Sequence, residues 1–155
     1  MQLNLLIIPL VLIFIGIPGA FGSEHNEITN FVGHTDGWAI IDNEAQRASM
    51  SFVGNGTMTH NWELETTVNI DSNEKITVHL RGSADPETGK IKLTGTGKGP
   101  NNVEFVVILR GNFASIENLE NVYALDWSYA GIHWFYGENN NEKIRLFQNG
   151  FLYAG

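Results

Sequence analysis

Along Lys75 to Ala84 the aliphatic residues Ile76, Val78 and Leu80 alternate with Thr77, His79 and Arg81. In an extended chain this puts the apolar side chains on one face and the polar ones on the other. Lys90 to Gly97 repeats the pattern, with Ile91 and Leu93 set against Lys90, Lys92 and Thr94. A period of two of this kind predicts half-buried antiparallel strands. Between them lies Asp85-Pro86-Glu87-Thr88-Gly89, where Pro86 presets φ for a turn and Gly89 supplies the left-handed position that closes a four-residue hairpin loop. The register this loop predicts pairs Asp85 with Lys90, Ala84 with Ile91, Gly82 with Leu93, Leu80 with Gly95 and Val78 with Gly97, with a large residue facing a small one at nearly every step.

The same pattern recurs elsewhere. Ala48, Met50 and Phe52 alternate with Ser49, Ser51 and Val53; Asn55-Gly56 then predicts a turn, followed by one long strand from Thr57 to Ile70 with a bend or bulge. Val103 to Leu109 is apolar on both parities, as in a strand covered on both faces, and Val122 to Tyr129, Ile132 to Tyr136 and Lys143 to Phe147 complete the set. Only Ser115 to Leu119 has even a brief helical pattern. About eight or nine strands at a spacing of roughly 8–12 residues predict an all-β fold built as a single antiparallel meander. Strands near ten residues long close into a barrel more readily than they remain an open sheet, so a barrel is expected, with a two-sheet β-sandwich as the alternative. This strand count resembles that of the calycin-like small barrels. The short sequence signatures of lipocalins are absent, so no residue role is carried over, and a shared fold does not fix function.

The N-terminus departs from this alternation. Leu5 to Ile17 is an almost unbroken apolar run, followed by Pro18-Gly19-Ala20-Phe21-Gly22 and then polar Ser23-Glu24-His25. Its length, with small residues at Ala20 and Gly22, predicts a hydrophobic signal helix over residues 1–22 with cleavage after Gly22, leaving an all-β domain over 23–155. No Lys or Arg precedes the run, and Leu3 to Phe21 approaches membrane-spanning length, so an uncleaved membrane anchor is the alternative. Either way the domain is expected outside the cytoplasm, secreted or membrane-anchored, and touches a membrane only through this segment.

Charge and composition narrow the partners. The 155 residues include 17 acidic and 9 basic side chains, a net charge of -8, and residues 1–22 carry none of them. An acidic surface disfavours nucleic-acid backbones and anionic head groups in general, so no nucleic-acid partner is expected. Cysteine is absent, which excludes a disulfide framework, a thiolate nucleophile and a cysteine metal site. The fold must therefore be held by its core and its strand ladders.

Few motifs carry chemistry. Gly95-Thr96-Gly97-Lys98-Gly99 fails the phosphate-loop pattern at Lys92 and at Gly99. His25, His34, His60, His79 and His133 have none of the short spacings of a zinc site, and the acidic loops at 71–74 and 138–142 lack the ligand spacing of a calcium loop, so no metal and no cofactor is expected. Glu63 and Glu65 lie on the solvent parity of their strand, whereas Asp126 has small same-parity neighbours, Ala124 and Ser128, and is the candidate acid or base of an enzymatic reading that places it in a barrel mouth. Asn55-Gly56-Thr57 is a glycan acceptor sequence. The most unusual feature is C-terminal: Tyr123, Trp127, Tyr129, Trp134, Phe135 and Tyr136 crowd into fourteen residues. Such a cluster either packs a β core or lines an apolar or sugar-binding site, and if Trp134 belongs to a site, Trp134→Ala should weaken binding and leave the fold intact. The first expectation is thus an exported, non-catalytic binding domain that holds a small apolar or carbohydrate ligand through Tyr123, Trp127, Tyr129, Trp134 and Phe135. The alternatives are a cell-envelope structural or interaction protein, and an enzyme using Asp126.

Overall fold

A computed structural model describes residues 27–71, 74–99, 102–136 and 140–155. The expected signal segment over 1–22 and its cleavage point lie outside the described residues. Eight antiparallel strands follow one another in sequence order: β1 (Thr29–Ile41), β2 (Glu44–Gly56), β3 (Trp62–Ile70), β4 (Glu74–Asp85), β5 (Lys90–Lys98), β6 (Glu104–Ser115), β7 (Val122–Tyr136) and β8 (Asn140–Ala154). Each pairs with the next, and β8 pairs back onto β1, so the meander closes into a barrel rather than splitting into a sandwich. Among the described residues no helix is long and apolar enough to cross a membrane.

The register shows how the barrel closes. Directly opposed residues can be followed once around the wall from Lys75 through Asn69, Ser49, Asp36, Asn149, Asp126, Asn112 and Lys90 to Asp85. The path leaves β4 at Lys75 and re-enters the same strand at Asp85, ten residues further on. A stagger of this size goes with strands tilted by about 40° and, with eight strands, an interior just wide enough for side chains to fill. No edge is left unpaired.

The alternation read from the sequence sets what fills that interior. Ile76, Val78, Leu80, Ile91 and Leu93 all point inward and are buried. The β4–β5 ladder pairs Asp85 with Lys90, Ala84 with Ile91 and Gly82 with Leu93, as the loop chemistry predicts, and Gly89 takes φ 68° at the turn. The Asp85 carboxylate accepts the Glu87 amide at 2.9 Å inside this loop. Toward the barrel end that holds this hairpin, Phe31 stacks on Trp62 at 4.0 Å, with Phe113 against Trp62 and Tyr123 edge-on to Phe113. Near the opposite end Phe105 packs on Trp134 at 4.8 Å. Between these layers Thr35 Oγ1 donates to Gln148 Oε1 at 3.0 Å, and Gln148 Nε2 donates to the Ala48 carbonyl at 2.8 Å.

Three details differ from the sequence reading. β2 runs through Asn55-Gly56, and the chain turns at Thr57 to Asn61 instead, where Trp62 Nε1 donates to the Thr57 carbonyl at 2.7 Å and fixes the entry to β3. The segments Val122–Tyr129 and Ile132–Tyr136 are one strand, interrupted by a bulge between Asp126 and Ala130. Residues 115–119 form a strand end and turn rather than a helix.

Candidate functional site

The expected aromatic site is distributed along β7 rather than gathered. Tyr123 is half-buried near one end of the barrel, Trp127 is 5% exposed in the middle of the core, and Trp134 is 8% exposed near the other end. The indole of Trp127 lies across Gly111 and against Phe52, and that of Trp134 lies across Gly99, so each occupies space that a glycine leaves open on a neighbouring segment. Eleven residues of strand separate Tyr123 from Trp134, about 36 Å, more than one small ligand spans. Phe135 pairs through its backbone with Glu104, and its side chain lies outside the described residues.

Tyr129 faces outward, against the parity it shares with Trp127 in the sequence. The bulge adds one residue to β7, so Ser128 and Tyr129 both face solvent and Ala130 returns to the core. Outside, the Tyr129 hydroxyl lies 2.9 Å from His133 Nε2, and the Arg145 guanidinium lies 4.2 Å above the Tyr129 ring. Burial first, then the charges of Lys143 and Arg145, hold the His133 pKa below its ordinary value.

Asp126 also stands on the outer wall, exposed, directly opposite Asn112 on one side and Asn149 on the other. Glu63 and Glu65 are exposed on β3, with Glu63 bridged to Arg81 at 3.3 Å. Asn55 is exposed at the end of β2, paired in the ladder with Asn30 and Glu63. Among the described residues no group of three His, Asp or Glu side chains could hold a metal ion.

The largest departure from a sealed, polar-coated barrel is on the outer wall of β1 and β8. Trp38, Phe147, Phe151 and Tyr153 are 48%, 54%, 60% and 49% exposed. Trp38 is directly opposite Phe147, His34 is opposite Phe151, and Val32 is opposite Tyr153. The row between them holds Asp36 opposite Asn149, and His34 Nε2 lies 2.9 Å from Asp36 Oδ2. An open groove follows this wall, lined by His34, Asp36, Asn112, Asp126, Asn149 and Phe151 among others. The exposed rings and the polar side chains of His34, Asp36 and Asn149 thus share one surface.

These outer aromatics escape a sequence reading for a definite reason. In β8 both parities are mixed: Ile144, Leu146, Gln148 and Leu152 face inward, while Arg145, Phe147, Asn149, Phe151 and Tyr153 face outward. The inward Gln148 and the outward phenylalanines weaken the alternation. Two apolar residues, Phe147 and Phe151, spaced by four on the parity that also carries Arg145 and Asn149, were the available signal.

No protein-family model matches the chain, nor does any curated protein or solved structure.

Proposed function

We propose that the protein is an exported, non-catalytic binding barrel that takes a sugar-like partner across the outer wall of β1 and β8 rather than inside the barrel. The observation that carries this reading is the set of four large aromatic side chains, Trp38, Phe147, Phe151 and Tyr153, left about half exposed on two adjacent strands. A monomeric soluble protein rarely leaves contiguous apolar surface without a use. A pyranose ring offers an apolar C–H face to an aromatic plane and hydroxyls around its rim. Asp36, Asn149 and His34, interleaved with the aromatics, supply carboxylate, amide and imidazole partners for such hydroxyls. Of the C-terminal aromatics, Tyr129 faces outward on the neighbouring β7, whereas Trp127 and Trp134 pack in the core.

The interior favours the same division of labour, because Phe31, Phe52, Trp62, Met50 and the aliphatic residues of every strand occupy it. One observation favours a second reading, a ligand inside the barrel: Thr66 Oγ1 and Trp127 Nε1 are buried and have no hydrogen-bond partner among the described residues.

The test compares wild type with Trp38→Ala, Phe147→Ala and Trp127→Ala, by calorimetric titration against neutral oligosaccharides and by melting midpoint. Truncating Trp38 or Phe147 should lower affinity tenfold or more and leave the melting midpoint nearly unchanged. Trp127→Ala should cost about 3–5 kcal/mol of stability. If Trp38→Ala and Phe147→Ala bind as wild type does, the outer wall is not the site. Export is checked by intact mass, which should correspond to a chain starting at Ser23; full-length protein in the membrane fraction would instead establish an anchor.

A further inference from the structure

The wall that carries these aromatics also carries a concentration of positive charge unusual for a chain of net charge -8. Opposed positions run Arg47 to Trp38 to Phe147 on β2, β1 and β8, and Tyr129 to Arg110 to Lys92 on β7, β6 and β5. The bulge in β7 brings the two halves into one line. In the next row Ile40 faces Arg145, which faces Gly131 and then Ile108; in the row after it Lys143 faces His133 and then Val106. Over β5 to β8 no carboxylate occurs in these three rows. Among the described residues Asp126 and Asp36 lie in the row on one side and Glu104 in the row on the other, and Asp71 lies beside Arg47, its amide donating to the Arg47 carbonyl.

Among the described residues these cations have no carboxylate partner. Among the described residues the ion pairs are His34 with Asp36 and Arg81 with Glu63, so Arg47, Lys92, Arg110, Lys143 and Arg145 are engaged by no described carboxylate. Lys92 and Arg110 also stand directly opposite each other across the β5–β6 ladder. Like charges in directly opposed positions destabilise a sheet. The depressed pKa of His133, caused by burial and then by Lys143 and Arg145, is a second sign of the local positive field. The arginines are also held against rings, Arg145 at 4.2 Å from Tyr129 and 5.8 Å from Phe147, and Arg47 at 5.8 Å from Trp38.

Building on the outer-wall reading above, we propose that the partner is an acidic glycan, a uronate chain whose sugar rings lie on Trp38 and Phe147 and whose carboxylates meet Arg145 and Arg110. The charge complementarity is local: the rest of the surface is acidic and turns polyanions away, and this band is where one can dock. A planar guanidinium matches a carboxylate with two parallel hydrogen bonds, and Arg145, already oriented by the Tyr129 ring, loses little freedom on binding. From Arg47 to Lys92 the line crosses six strands, about 24 Å at the usual strand spacing, room for several sugar units.

The test is calorimetric titration of the intact protein with a 1,4-linked galacturonate hexamer and with its methyl ester, which keeps the ring and removes the charge. The acid form should bind at least tenfold more tightly than the ester and lose most of that advantage between about 50 and 300 mM salt. Arg110→Gln and Arg145→Gln should each lower affinity for the acid about tenfold and leave the ester unaffected, whereas Phe147→Ala should weaken both. These side chains are exposed, so the variants should fold as wild type does, with Arg110→Gln melting no lower because it relieves the repulsion from Lys92, and their melting midpoints verify this. Equal binding of acid and ester, insensitive to the arginine variants, would overturn the acidic glycan and leave the outer-wall reading standing. Failure of both to bind would remove the two together. Tighter binding of a single-stranded DNA hexamer than of the uronate, or self-association that Arg145→Gln abolishes, would assign the band to a different occupant and sink the proposal.

Discussion

Thr35 and Thr66 offer a matched pair for testing how the interior is held together. Both side chains point into the barrel and both are fully enclosed, at 0% exposure. Thr35 Oγ1 donates to Gln148 Oε1, whereas Thr66 Oγ1 has no partner among the described residues. Thr→Val makes the same chemical change at each site, replacing a hydroxyl by a methyl of similar size. At Thr35 it strands the Gln148 carbonyl oxygen, whose amide end remains tied to Ala48, and leaving such a group unsatisfied costs about 1–3 kcal/mol. At Thr66 it removes a hydroxyl that is desolvated and unpaired, so the variant should be neutral or about 1 kcal/mol more stable. The two variants should therefore differ by about 1–4 kcal/mol. For a domain of this size that is on the order of 3–15 °C between their melting midpoints. Urea unfolding followed by tryptophan fluorescence reads the difference directly. Gln148→Leu in the Thr35→Val background should recover part of the loss, because it removes the stranded carbonyl. The reasoning fails if Thr66→Val is as costly as Thr35→Val, since the Thr66 hydroxyl would then have an interior partner and the second reading, a ligand inside the barrel, would gain weight.

Three further outcomes follow from individual contacts. Gly89→Val should destabilise by about 1 kcal/mol or more, measured as a fall in melting midpoint, because Gly89 sits at φ 68° and an added Cβ would lie 2.7 Å from the Phe113 carbonyl oxygen. Trp134→Ala should destabilise by about 3–5 kcal/mol in urea, since its indole fills the space over Gly99 and packs on Phe105; a fold left intact would return Trp134 to the list of site residues. His133 has a pKa below its ordinary 6.5 in the folded protein, so the neutral form is the one folding favours. Its contribution is complete above that value and is lost as pH falls through the window beneath it. His133→Gln should flatten the decline of the melting midpoint over that window, and an unchanged slope would show that neither burial nor the charges of Lys143 and Arg145 lower its pKa.

Much of the fold is written in local alternation, and the sequence fails where tertiary geometry decides. The β4–β5 hairpin is legible from its turn as far as Gly82 opposite Leu93, because Pro86 and Gly89 set the loop and the large–small pairing sets the register. Closure is not legible in this way. Alternation marks which residues face the core, but barrel and sandwich share it, and the deciding contact is Phe31 to Ala154, between the two ends of the domain. The turn at Thr57 to Asn61 outweighs the strong Asn55-Gly56 signal because β2 gains further ladder partners on both β1 and β3 by continuing. The Tyr129 inversion rests on a single extra residue in β7, and no residue type marks it, so the parity read from Tyr123 and Trp127 carries on past the bulge. The candidate site was hidden for a related reason. A dense aromatic run draws the eye to β7, whereas the exposed rings come singly, from strands at opposite ends of the domain, and meet only when β8 pairs with β1.

The four tryptophans provide the most direct measurement. Trp38 is exposed on the outer wall at 48%, whereas Trp62, Trp127 and Trp134 are buried at 1%, 5% and 8%. In an amide-correlation NMR spectrum each indole N–H gives its own resonance, so one titration with a bound oligosaccharide reports on wall and interior at once. Recognition across β1 and β8 predicts that the Trp38 indole shifts in step with ligand, together with the backbone amides of Phe147 and Phe151, while the indoles of Trp62, Trp127 and Trp134 stay in place. A shift of the Trp127 indole with Trp38 unmoved would contradict it and put the ligand inside the barrel.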